Sequence, residues 1–152
     1  MRVPSYLFAF LYIVLVGCIS SEKKKINNKS ESHTQASKKM DPKLVESIQR
    51  GSEIYSDLCV TCHLPNGKGV PNLFPPLAQS DYLMNNRIES IKAIKYGLNG
   101  EIVVNGKSYN SAMVAQGLSD TEVADVMNYI SNSWGNENRS MVSEKEVSEI
   151  KP

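Results

Sequence analysis

The chain opens on an unbroken apolar run, YLFAFLYIVLV at residues 6–16, and then turns polar across residues 19–40. From residue 42 apolar side chains return at helical spacing. Leu44, Val45 and Ile48, then Ile54, Tyr55 and Leu58, predict a helix over about 42–57, with Asp41 as its cap and Pro42 in its first turn. Residues 63–79 carry four prolines and two glycines, a density that excludes helix and central strand and predicts an irregular loop. Ser80 or Asp81 caps a short helical turn running to Met84. A further helix covers 87–96, with Ile88, Ile91 and Ala93 or Ile94 inward and Gly97 as its stop. Asn105-Gly106 between apolar flanks in 101–109 reads as a small hairpin. Ser119-Asp120-Thr121-Glu122 is a capping box that opens a last helix over about 120–133, with Val123, Val126, Met127 and Ile130 on one face. Residues 136–152 are polar and charged and read as a disordered tail. The fold class is all-α, with three to four main helices and one short β-hairpin.

Composition sharpens this picture by region. The chain has 152 residues, a one-domain length, and a net charge of +1, which gives no argument for nucleic acid as a partner. Residues 22–39 hold six Lys and two Glu, whereas 41–135 hold seven basic and ten acidic residues, so a basic tether precedes an acidic head. About ninety ordered residues bury only a modest core, and domains of that size often need a metal, a disulfide or another centre to pack around.

The first segment reads as an address. Arg2, the apolar run and Leu15-Val16-Gly17-Cys18 give a secretory signal peptide at 1–17, too short to span a membrane as a helix. Leu-x-Gly-Cys resembles the lipobox of bacterial lipoproteins, which implies that Cys18 becomes the acylated first residue of the mature chain. Residues 18–40 then form a flexible tether, too poor in apolar side chains to fold, and its His33 is solvated. The expected location is the bacterial cell envelope, lipid-anchored and facing the periplasm or exterior.

Two cysteines remain, and they carry the chemistry. Cys59-Val60-Thr61-Cys62-His63 is the C-x-x-C-H pattern of covalent haem attachment. Two thiols add to the two vinyl groups on one edge of the porphyrin, and the following His supplies an axial nitrogen to the iron. A dithiol redox motif would need a βαβ setting that this chain lacks. A zinc site would need a fourth ligand, and the only other His lies in the tether. One such pattern means one haem c.

With this motif, residues 42–135 resemble the class I cytochrome c family. Gly51-x-x-x-Tyr55-x-x-x-Cys59 is similar to the family's first helix, and Tyr129 to the aromatic of its last. Pro75-Pro76-Leu77 is similar to the Pro-x-Leu after the haem motif, although Pro71-Asn72-Leu73 also fits that pattern. The resemblance implies the cytochrome c fold around one covalent haem. It implies that the Pro75 carbonyl accepts a bond from His63, that Leu77 contacts the cofactor, and that Met113, in the loop before the last helix, is the sixth iron ligand. Val114 stands where the family usually has Pro. More locally, Asn66-Gly-x-Gly69, Phe74-Pro-Pro-Leu77-Ala and Ser133-Trp134-Gly135-Asn136 resemble haem domains of copper nitrite reductases and quinoprotein dehydrogenases.

The apolar candidates for the haem cleft are Leu73, Phe74, Leu77, Ile94, Leu98, Val103 and Val104. The resemblance implies an electron carrier rather than an enzyme, with His63/Met113 ligation and transient redox partners: an oxidase, a nitrite reductase or a dehydrogenase. Two other readings stay open. One is a haem sensor or peroxidase-like enzyme with a labile sixth ligand; the other is a fixed electron-entry subunit of an oxidoreductase complex.

Overall fold

The computed structural model describes residues 40–152. The expected signal peptide, Cys18 and nearly all of the tether therefore lie outside the described residues. Six helices and one hairpin follow in order: α1 (Pro42–Ile54), α2 (Val60–His63), α3 (Asp81–Asn85), α4 (Arg87–Tyr96), β1 (Ile102–Val104), β2 (Lys107–Tyr109), α5 (Asp120–Ile130) and α6 (Glu144–Glu149). No helix among the described residues is long and apolar enough to cross a membrane.

The caps follow from side-chain chemistry. Asp41 accepts a bond from the Lys43 amide at 2.9 Å, with Pro42 behind it. Ser80 caps α3 through the Leu83 amide, and Ser119 with Glu122 closes a reciprocal capping box on α5. The hairpin pairs Val104 with Lys107 in antiparallel register, and both turn residues, Asn105 and Gly106, take positive φ. That conformation is the reason an Asn-Gly pair marks the turn.

Helices α1 and α5 cross in close contact, and glycine makes the crossing possible. A Cβ on Gly51 would stand 2.0 Å from the Asp125 carbonyl oxygen. Around the crossing, Arg50 Nε and Nη2 and Ser47 Oγ all donate to the buried Asp125 carboxylate, at 2.6, 2.8 and 2.6 Å. Below it the rings of Tyr55, Tyr129 and Trp134 meet with centroids 5.0–5.4 Å apart, in the tilted and edge-on arrangements that aromatic quadrupoles favour. Ile91, Val123, Val126, Met127 and Ile130 complete this core.

Four expectations need correction. Helix one does not end at 57: a wider, π-type turn at Tyr55–Cys59 carries it on into α2 and to His63. Ile88 is 58 % exposed, because α4 starts at Arg87 and only its Ser90, Ile91, Ala93 and Ile94 positions face inward. Leu73 and Val103 are also half exposed and do not face the interior.

The fourth correction is the tail. Residues 136–152 are ordered: they return along α5 and α4 and end in α6. Val142 and Val147 are fully buried. Asn128 donates to the Val142 carbonyl at 2.9 Å and accepts from its amide at 2.7 Å. Arg87 pairs with Glu146 and donates to the carbonyls of Ser140 and Met141. Lys95 and the Tyr96 hydroxyl donate to the carbonyls of Val147 and Ile150. Two buried valines and the side chains of Arg87, Lys95, Tyr96 and Asn128 fix a segment whose composition looks unstructured.

Candidate functional site

The continuous α1–α2 rod delivers Cys59, Cys62 and His63 together. At the π turn the Val60 amide reaches back five residues to the Tyr55 carbonyl, which displaces the following residues from α-helical phase. Such turns recur at functional sites. The rod stops at Leu64, whose φ is +64°. The Tyr55 hydroxyl donates to the Leu64 carbonyl at 2.7 Å and fastens that stop to the core.

The proline-rich loop is irregular and well bonded. The Gly67 carbonyl accepts from the amides of both Leu77 and Ala78, at 2.7 and 2.8 Å, and Gly69 N donates to the His63 carbonyl. This folding brings the Pro75 carbonyl 3.0 Å from His63 Nδ1. It is Pro75, not Pro71, that meets the ring. Nδ1–H donates to that carbonyl, so Nε2 is the unprotonated nitrogen. Burial lowers the His63 pKa, and the bond to Pro75 offsets part of that shift. The ring is therefore a neutral ligand at ordinary pH. Burial and the neighbouring Cys62 push the Cys59 thiol up to about 11.

His63 faces an open cleft whose wall is almost wholly apolar. Leu77, Ile94, Leu98, Val104 and Met113 line it, together with Cys59 and Pro75. A second lobe shares His63, Leu98 and Met113 and adds Cys62 and Phe74. Met113 is positioned by its backbone. Its amide and carbonyl exchange 2.8 Å bonds with Leu98 in an isolated bridge. The preceding Gly97 has φ +86°, and a Cβ there would stand 2.7 Å from the Met113 carbonyl oxygen. In the sequence Gly97 reads only as a helix stop; its second duty, admitting the Met113 strand, has no local signal. Tyr55, Ser80, Tyr82, Ser90, Leu118 and Val126 also line the cleft and were not marked as such by periodicity.

This donor set fits a flat, apolar macrocycle with a central metal. Two thiols stand at one edge, one imidazole nitrogen is free, and one thioether shares the same cleft. Comparison with known proteins agrees: the family model for cytochrome c matches residues 48–134.

The chain belongs to the cytochrome c family.

Its cofactor is accordingly a covalent haem c, with Cys59, Cys62 and His63 in the attachment spacing. Among curated relatives, this cytochrome is 43 % identical over 91 residues to cytochrome c-552 of Thermus thermophilus, an alignment covering 56 % of this chain and 68 % of the relative. It is 32 % identical over 105 residues to the cytochrome c subunit of the quinone alcohol dehydrogenase of Gluconobacter oxydans, covering 66 % of this chain and 22 % of that subunit. It is 32 % identical over 110 residues to the gluconate 2-dehydrogenase cytochrome c subunit of Pantoea cypripedii, covering 70 % and 25 %. The chain thus spans about a quarter of the dehydrogenase subunits it matches. Electron transfer, rather than catalysis on a substrate, is the activity that family membership assigns.

Proposed function

We propose that this cytochrome is a lipid-anchored carrier at the outer face of a bacterial membrane, passing single electrons through one haem ligated by His63 and Met113. The observation that carries the ligation is the shared cleft: an imidazole with its Nδ1 tied to Pro75 and a thioether held on the Leu98 bridge line the same apolar space. When bound, the haem iron alternates between Fe(III) and Fe(II) and so takes up and gives back one electron.

The protein's own residues set the terms. Pro75 fixes the His63 tautomer and ring plane and raises its basicity as a ligand. The Met113 thioether is a soft donor that favours the reduced metal, and the apolar wall excludes water and acts in the same direction. The anchor rests on the apolar run and Cys18 in Leu15-Val16-Gly17-Cys18. Relatives that are dehydrogenase cytochrome c subunits support a dehydrogenase as a redox partner.

Visible spectra of the purified holoprotein, oxidised, reduced, and reduced under carbon monoxide, test this. The expected result is the weak far-red band of thioether ligation in the oxidised form, with no carbon monoxide shift. Met113→Ala abolishes the band and admits carbon monoxide. A wild type that binds carbon monoxide rapidly refutes the carrier with a closed sixth site and favours a sensor. Metabolic labelling with a radioactive fatty acid, compared with Cys18→Ser, tests the anchor.

A further inference from the structure

One buried polar atom in the cleft has no partner. Ser90 is 6 % exposed, lies on the inward face of α4, lines the cleft, and its Oγ makes no hydrogen bond. A buried hydroxyl left unbonded costs about 1–3 kcal/mol, so a serine kept at such a position points to a group that completes it. Two more hydroxyls lie on the same wall. Ser80 Oγ accepts from the Leu83 amide and keeps its own hydrogen to donate, and Tyr82 also borders the cleft. Gln116 also borders the cleft, and one hydrogen of its Nε2 goes to the Val114 carbonyl at 2.8 Å.

The two carboxylates are the only hydrogen-bonding groups on the rim of a protohaem, and the rest of that rim is apolar. Ser80, Tyr82 and Ser90 border the first lobe, whose wall is otherwise almost wholly apolar. We propose that the Ser90 hydroxyl, supported by Ser80 and Tyr82, is where this chain receives a carboxylate of the cofactor. This rests on the haem reading of the cleft. Donation from Ser90 completes the orphaned hydroxyl and spreads the negative charge of a carboxylate within an apolar wall, as buried charges require. The donated hydrogen bond draws off part of the carboxylate charge that otherwise favours the ferric form, so the hydroxyl raises the potential.

The test uses holoprotein whose visible spectrum first establishes covalent haem, so failure of the haem reading shows before this one is addressed. In the reduced, diamagnetic form, proton NMR is expected to show cross-relaxation between the Ser90 β-protons and a propionate methylene. Ser90→Ala is expected to lower both the midpoint potential and the melting temperature, and Ser90→Thr, which keeps the hydroxyl, is expected to restore the potential. The proposal is overturned if the Ser90 protons contact only ring methyl or meso protons. It is equally overturned if Ser90→Ala melts higher with its potential unchanged, because removing an unpaired hydroxyl relieves a cost.

Discussion

Gly51 and Gly97 are two of the glycines that let backbones approach closely in this cytochrome, and they separate stability from ligation. At Gly51 any side chain meets the Asp125 carbonyl across the α1–α5 crossing. Gly51→Ala is expected to cost about 2–3 kcal/mol in denaturant unfolding, with an unchanged visible spectrum in the fraction that folds. Gly97 instead abuts the Met113 carbonyl and takes a positive φ. Gly97→Ala is expected to weaken the far-red band and let carbon monoxide bind the reduced form, with a smaller loss of stability. If the two variants exchange these phenotypes, the division of labour is wrong. At this scale the sequence was most legible where spacing is itself the chemistry. The C-x-x-C-H run could be read from neighbours alone, whereas Pro75-Pro76-Leu77 competed with Pro71-Asn72-Leu73 until the folded loop set the Pro75 carbonyl against His63. The cleft-lining role of Ser90, and the exposure of Leu73 and Val103, depend on which way a loop or strand turns after its ends are fixed. No local pattern carries that.

Among the elements, the last fifteen residues behave least as their composition suggests. Residues 138–152 lock onto α4 and α5 through Val142, Val147 and the Arg87–Glu146 pair. Deleting them is expected to cost about 3 kcal/mol or more, since each buried valine contributes about 1.5–3 kcal/mol, and to leave the spectrum intact. The strap also responds to acid. The Glu146 carboxyl is held below the usual range, chiefly by its bond from Arg87. Its stabilisation is therefore full above about pH 4.3, the ordinary glutamate value, and is lost as pH falls through the lower folded value. Hydrogen-exchange protection across 140–150, measured against the intrinsic amide rate at each pH, is expected to fall between pH 5 and pH 3 in wild type, and to be low at both in Glu146→Gln. The helix boundaries elsewhere were readable because caps announce them: Asp41, Ser80, Ser119 and Gly97 each stand where the structure uses them. The π turn was not, since five-residue closure at Tyr55–Cys59 has no residue preference comparable to a cap.

For the molecule as a whole, the cofactor is part of the core. Helices α1, α4 and α5 and the hairpin surround an apolar cleft that their own side chains do not fill. A Cys59→Ser, Cys62→Ser double variant, unable to attach haem covalently, is expected to lose most of its far-UV circular dichroism, because a domain this small buries too little apolar surface without its cofactor. A variant that stays folded and cooperative would show that the helices suffice alone. The all-α class and the order of the elements from α1 to α5 could be read from the chain, since a helix-dominated fold leaves its period in the sequence. The return of the tail could not, because its apolar contacts number few and are not periodic.

The strap has a consequence for descent. Most of its bonds grip main chain: the carbonyls of Ser140, Met141, Val147 and Ile150, and both backbone groups of Val142. Main-chain atoms are common to every residue type, so mutations can rewrite the side chains there while the contact persists. The family match ends at residue 134, and the fold continues past it.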